Sequence, residues 1–344
     1  MNATTVGADL AKNVFEIAVA DERGHIVERH RLNRARFDQF FTNRATSRIV
    51  MEACGSAHHH ARRLRGEGHD VVLLPAQYAR AYVRRNKTDA ADATALIEAA
   101  RCPDIRPVPV KSIDQQALQQ LHRLRSQWMG ARKSRINFLR GCLREFGVCI
   151  AIGAQRAIQT VRDTLASPQC AVPALLHSSV LELLAEIDCL DKRCKHIERQ
   201  LARLHENDPA VERLLKIPGV GPLTATALRA SVVDIQRFPS ARHFARWLGL
   251  TSREHSSGER RRLGRISKQG DPYLRTLLIH GARAVLLAAR SAQRRGSSLD
   301  RLRAWALEIQ ERRGHNKAAV ALANKLARIV WATWRFDRHF ERRI

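Results

Sequence analysis

No apolar run of about 18 residues, the shortest that begins to span a bilayer, occurs in this chain. Its N-terminus also lacks the order of charged, apolar and small residues that makes a signal peptide, so a cytoplasmic protein is expected. The seven cysteines (54, 102, 142, 149, 170, 189 and 194) are odd in number and form no Cys-x-x-Cys. That excludes a disulfide framework and the usual zinc spacing, and leaves reduced thiols. No Gly-x-x-x-x-Gly-Lys-Ser/Thr is present, so an ATP-binding P-loop is excluded as well. Internal repeats and low-complexity tracts are likewise missing. What the chain does have is cationic charge: 60 Lys and Arg face 33 Asp and Glu, a formal +27 over 344 residues. Phosphate backbones are the partner such an excess suits, because neutralising them releases counterions. With 44% hydrophobic residues the chain can build real cores, and its length allows two or three domains.

The charge is unevenly shared. Residues 1–100 carry 15 Lys and Arg against 12 Asp and Glu, whereas residues 241–344 carry 24 against 8. Apolar runs at Thr4–Ala8, Val14–Ala20 and His25–Arg31 predict three hairpin-like strands, followed by a helix from Arg34. A strand at Arg48–Ala53, a helix near His58–Arg65, a strand at Val71–Pro75 and a helix from Asp89 to Arg101 complete the pattern. This order predicts a mixed sheet with helices on its faces over residues 1–105. Residues 106–208 read as long helices. Leu183, Ile187, Leu190, Cys194, Ile197, Leu201 and Leu204 alternate steps of four and three, which is a heptad seam suited to an antiparallel pair or a dimerising coiled coil. Shorter helices broken by Gly and Pro fill residues 209–344.

Within the nearly neutral first domain, Asp9 follows the first strand and Glu52 ends the fourth. Asp89 and Asp92 are three apart and share one helix face. Four hard oxygen ligands brought together suit Mg²⁺, and a pair of such ions clamps an in-line phosphoryl displacement. Each residue also has a plainer use: Asp89 and Asp92 favour a helix dipole behind Thr88, Asp9 suits a turn, and Glu52 a solvated strand end.

In the basic third, Ile217-Pro218-Gly219-Val220-Gly221-Pro222 reads as a turn between two helices. The amides of Gly219 and Gly221 could hold a phosphate, or the glycines only permit the turn. Farther on, Arg253, Arg260, Arg261, Arg262, Arg265 and Lys268 surround Ser256-Ser257-Gly258, and a serine in such a loop can attack phosphate. Ser-Gly is also common in ordinary loops. His58-His59-His60 is expected to be an exposed basic face rather than a metal cluster, since consecutive helical side chains diverge. Trp247, Trp305, Trp331 and Trp334 are expected in the core.

Gly7-Ala8-Asp9-Leu10-Ala11-Lys12, Met51-Glu52-Ala53-Cys54-Gly55 and Asn86 to Ala93 resemble the acidic motifs of the insertion sequence 110 family of DEDD transposases, and the resemblance continues through the C-terminal third. It implies a ribonuclease-H-like (RuvC-like) domain, a helical coiled-coil middle and a helical C-terminal domain with a helix-hairpin-helix-like motif. It further implies Mg²⁺ on the four carboxylates and Ser257, the serine before a glycine, as a covalent nucleophile. Donor and target DNA, a guide (bridge) RNA, and a homodimer or tetramer whose protomers share a site are the implied partners. Two other readings stay open on the residues alone: a junction-type nuclease using water, and a non-catalytic nucleic-acid-binding protein.

Overall fold

A computed structural model describes residues 4–42, 44–82, 89–203 and 208–341. The chain divides into two compact units, residues 1–113 and 114–344.

The first unit is built on β1 (Thr5–Leu10), β2 (Val14–Ala20), β3 (Ile26–Asn33), α1 (Arg34–Thr42), β4 (Arg48–Glu52), α2 (Ala57–Gly66), β5 (Asp70–Leu74), the short α3 (Ala76–Ala79) and α4 (Asp89–Ala100). The five strands lie in the order β3-β2-β1-β4-β5; β1–β2 and β2–β3 are antiparallel, β1–β4 and β4–β5 parallel. The mixed sheet expected from the sequence is therefore present. Ile49, Val50 and Met51 of β4 are all buried because helices cover both faces of this strand. The outer strand β3 instead alternates half-buried and exposed residues, and its charged side chains shield an edge.

Phe15, Phe37, Phe41, Met51 and Leu64 pack one face of the sheet under α1 and α2. The opposite face carries α4, through Val50, Val72, Leu74 and Leu96 on one side and Ala18, Ala20, Ala93 and Ile97 on the other. The approach is closest at Gly7, where a Cβ would collide with the Ala93 carbonyl oxygen and the Ile97 side chain. Just past the end of α4, Arg101 donates to the Arg23 carbonyl in the β2–β3 turn, which lies at the β1 start. Hence α4 runs antiparallel to β1, and its N-terminus is directed to the end where β1 and β4 finish.

The second unit comprises α5 (Ile113–Arg144), α6 (Ala154–Ala166), α7 (Ala174–Arg203), α8 (Pro209–Leu215), α9 (Pro222–Ser231), α10 (Ala241–Trp247), β6 (Ser252–Glu254), β7 (Leu263–Ile266), α11 (Pro272–Arg294), α12 (Arg301–Arg313) and α13 (His315–Arg335). Asp208, Asp271 and Asp300 cap α8, α11 and α12 by accepting backbone N–H bonds, and proline follows the first two. None of the helices among the described residues is long and apolar enough to cross a membrane.

The expected heptad seam is buried at Ile187, Leu190, Cys194, Ile197 and Leu201, with Leu183 half-buried; Leu204 lies outside the described residues. Its cover comes from the same chain. Arg125, Arg132 and Arg135 of α5 pair with Glu198, Asp191 and Glu186 of α7, ascending on one helix and descending on the other, as an antiparallel pair requires. Of the two arrangements the seam suits, the antiparallel pair within one chain is the one present among the described residues. On α5 the buried residues are His122, Ile136, Leu139 and Leu143, while Leu124 is exposed.

His122 is the polar member of this buried set. It is 3% exposed, and its ring nitrogens bond Thr226 Oγ1 of α9 at 3.1 Å and Tyr273 Oη of α11 at 3.0 Å. Burial, with Arg125 adding repulsion, pushes its pKa from 6.5 down to about 4. The folded unit therefore prefers the neutral ring, whereas the unfolded chain takes up a proton as pH falls through 6.5. Stability present above pH 6.5 is lost progressively down to about pH 4, at about 1.4 kcal/mol per pH unit for one proton. A pH series of urea unfolding midpoints should show this loss, and His122→Gln should flatten it. A second expectation concerns α4: Gly7→Ala should cost about 1–3 kcal/mol, read as faster amide hydrogen exchange in α4 than in α2.

Candidate functional site

β1 and β4 run side by side in parallel, and their last paired residues are Ala8 and Met51. Asp9 and Glu52 come next on each strand. Because successive strand residues alternate faces, the two point away from the Phe15–Met51 core and toward the side covered by α4. The sequence pattern places Asp9 just after its strand. β2 instead keeps pairing as far as Leu10, so Asp9 lies within β1. Asp92 sits one residue before Ala93, the point of closest approach over Gly7, and is half-buried, as are Asp9 and Glu52.

The backbone therefore directs three of the four carboxylates to one sheet end, where α4 begins. The side chain of Asp89, with Thr88 and the preceding motif residues, lies outside the described residues. Among the described residues no three His, Cys, Asp or Glu side chains converge closely enough to hold a metal ion. The donor set itself fits a hard divalent cation, since every expected ligand is a carboxylate.

Sequence reasoning overlooked Glu16. It pairs with Asp9 across β1 and β2 and shares its face. On its other side lies Arg31 of β3, whose Nε is 3.4 Å from Glu16 Oε1. This ion pair places a cation beside the acidic end. Strand register would have revealed it. Arg29, two residues away on β3, donates to the Ala90 carbonyl and to Thr94 Oγ1, which ties the first turn of α4 to the sheet edge.

The three histidines depart from expectation. Only His59 is exposed; His58 Nδ1 accepts from the Lys111 amide, and His60 is 1% exposed among Phe15 and Phe37. Helix α2 turns His60 inward onto the aromatic core, and burial lowers its pKa to about 4. Neither an exposed basic face nor a metal cluster forms.

In the second unit Ser257 stands at the tip of the hairpin made by β6 and β7. The backbone of Ser257 and Arg260 exchange hydrogen bonds, and Gly258 occupies the turn with φ +55°. A glycine at the first central position of a two-residue turn matches the twist of the strands. The neighbouring serines differ. Ser256 Oγ donates to Glu254 Oε1 at 2.8 Å and accepts from the Arg262 amide at 3.1 Å. Ser257 is exposed, and among the described residues its hydroxyl makes no hydrogen bond.

Arg260, Arg261 and Arg262 beside it on the hairpin are exposed, as are Arg265 and Lys268 at the stem. Arg261 lies 3.3 Å from Glu254, and Arg253 donates to the Ser267 carbonyl. The hairpin base is held firmly. Gly249, at φ +72°, crosses Gln269 so closely that a Cβ would strike its carbonyl, and Arg275 bonds the carbonyls of Leu248 and Gln269. Asn324 of α13 donates to the Leu250 carbonyl. A fixed stem therefore carries a solvent-facing tip.

Between α8 and α9, Gly219 (φ +82°) and Gly281 of α11 meet backbone to backbone. That approach gives Gly219 a packing role. Gly221 faces open space at the start of α9. The tryptophans behave as expected: Trp331 and Trp334 are 8% exposed, Trp331 donates to the Phe238 carbonyl, and Trp247 and Trp305 flank the same core.

Comparison with known proteins shows the family to which the chain belongs. Residues 6–148 match the DEDD transposase family model of the IS110 group, described as a transposase, and residues 211–296 match the model described as transposase IS116/IS110/IS902 family. A DEDD transposase domain implies use of a divalent metal ion. The chain is 44% identical to a probable family 20 transposase of Pseudomonas aeruginosa, over 96% of its own length and 97% of that protein. It is 37% identical to the transposase for insertion sequence element IS1111A of Coxiella burnetii, over 95% and 88%. The transposase for IS1328 of Yersinia enterocolitica is 34% identical over 96% of both. The chain belongs to the IS116/IS110/IS902 family of transposases, enzymes of DNA phosphoryl transfer that carry out transposition of insertion sequences.

Proposed function

We propose that this transposase cuts and rejoins DNA through a phosphoserine on Ser257, with Asp9, Glu52, Asp89 and Asp92 as the ligands of Mg²⁺. The observation that carries the serine assignment is the contrast at the hairpin tip, where Ser256 is bonded on both sides while the Ser257 hydroxyl faces solvent. Support for the carboxylates comes from the seating of α4 on Gly7, which directs the Asp92 end of that helix to the end of β1 and β4. Bound there, Mg²⁺ supplies charge neutralisation and orientation of phosphate oxygens.

In the reaction Ser257 Oγ loses its proton to solvent and forms a bond to phosphorus, while the P–O bond to one deoxyribose oxygen breaks and that oxygen takes up a proton. Arg260, Arg261, Arg262 and Arg265 offset the extra negative charge of the pentacoordinate state. The phosphoserine keeps the diester's bond energy, so a hydroxyl of the new strand reverses the step without ATP.

Further parts of the reading rest on family resemblance. They are pairing of an element-encoded bridge RNA with donor and target DNA, assembly as a homodimer or tetramer, and work in the bacterial cytoplasm or nucleoid. Three functional regions, 1–105, 106–208 and 209–344, go with it: a RuvC-like carboxylate domain, a coiled-coil region and a serine domain. In the last, the Gly219–Gly221 turn acts as a helix-hairpin-helix-like phosphate grip, with Gly221 the residue left open for it.

Trapping tests the chemistry. A denaturant-stable protein–DNA adduct should form with wild type and with Ser256→Ala and vanish in Ser257→Ala; full strand exchange by Ser257→Ala would remove the covalent mechanism in favour of a water-using nuclease. Asp92→Asn should lower Mg²⁺-dependent cleavage by at least about 100-fold, equivalent to about 2.7 kcal/mol of barrier, with little change in unfolding midpoint.

A further inference from the structure

A groove of about 1220 Å³ runs from the stem of the serine hairpin along α13. Six cations line it: Arg242, Arg265, Lys268, Lys317, Lys325 and Arg328, with no carboxylate among the lining residues. Among the described residues none of the six enters an ion pair, although many of the chain's other arginines do. Half of these cations belong to one continuous face of α13. Lys317, Val320, Ala321, Asn324, Lys325 and Arg328 recur at steps of three and one, opposite the buried stripe of Leu322, Leu326 and Val330. The groove is larger than the pockets that hold small molecules, about 300–1000 Å³.

The floor differs from the rim. Leu250, Ile279, Val320 and Ala321 give it an apolar base, and Trp305 stands in its wall with the Lys325 ammonium 4.1 Å from the ring centroid. This cation–π interaction holds Lys325 half-buried at a fixed place. A duplex keeps its base faces stacked inside, so it would leave most of an apolar floor unused. A single strand presents both phosphates for the rim and base faces for the floor.

We infer that the α13 groove binds a single DNA strand continuous with the phosphate attacked at the hairpin tip, with Lys317, Lys325 and Arg328 on its phosphates and its bases against the apolar floor. The strand's identity as DNA rests on the serine reaction proposed above; the groove's chemistry does not. Lys325 is a binding residue, and Trp305 is a positioning residue that acts through it.

Fluorescence anisotropy of the full chain with a labelled 12-nucleotide DNA strand, the matching duplex and an RNA of the same sequence tests the inference. Lys317→Gln, Lys325→Gln and Arg328→Gln together should weaken strand binding at least about tenfold. They should also reduce the slope of log K against log salt by about 2, since each phosphate no longer neutralised takes about 0.7 from it. Arg312→Gln with Arg313→Gln, exposed cations on α12 outside the groove, should change it little. Trp305→Leu should reproduce part of the loss and Trp305→Phe restore it, with unchanged circular dichroism in every variant. Wild-type affinity in the triple variant, an equal loss in the α12 control, or an equal loss for duplex would overturn the groove. Tighter binding of RNA, abolished in the triple variant, would assign it to RNA and overturn the DNA strand. Failure of the serine mechanism shows separately, as an adduct that survives Ser257→Ala while groove binding stands.

Discussion

The approach of α4 to β1 over Gly7 is the constraint on which the acidic end depends. Any side chain at that position would collide with the Ala93 carbonyl and Ile97, and the helix would have to lift from the strand. Ala18, Ala20 and Ala93 keep the surrounding layer thin for the same reason. Because Asp92 adjoins Ala93, and Asp9 lies two residues beyond Gly7 on the same face, one small residue sets the helix height for both carboxylates. The antiparallel run of α4 then matters electrostatically, since its positive N-terminal end favours clustered negative charge.

Acidic residues are scarce in a chain of +27, and the second unit places them where they order cations or cap helices. Glu186, Asp191 and Glu198 hold α5 against α7, and Asp208, Asp271 and Asp300 start three helices. Few remain near the hairpin and the α13 face. The positive field in that region follows from this allocation, and it is the condition for attracting a polyanion at a particular surface.

Much of this is legible in the sequence. The mixed sheet and the helices on its faces follow from periodicity and turn residues. The α7 seam is visible too, but its partner is not: heptads record an apolar stripe without naming the helix that fills it, and only the ordered pairing of Arg125, Arg132 and Arg135 decides for α5. His60 misleads because a run of three histidines looks polar, whereas the helical rotation carries one of them into an aromatic core. Glu16 and the α13 face escape because they are defined by register and by residues far apart in the chain. Lys317, Lys325 and Arg328 look like ordinary solvated charges until Arg265 and Lys268 line the same groove.

The hairpin shows how so short a sheet can hold an exposed serine at its tip. Two strands of three and four residues have little stability of their own. Their stem is therefore fixed from below: Gly249 and Gly270 allow the two chain segments to cross at van der Waals distance, Arg275 bonds both, and Asn324 ties Leu250 to α13. Ser256 completes the bracing by bonding Glu254 and the Arg262 amide across the strands, which removes it as a free hydroxyl. The adjacent serine can then face solvent without loosening the hairpin. Position along the strand, rather than any difference in the two side chains, separates the bracing serine from the solvent-facing one.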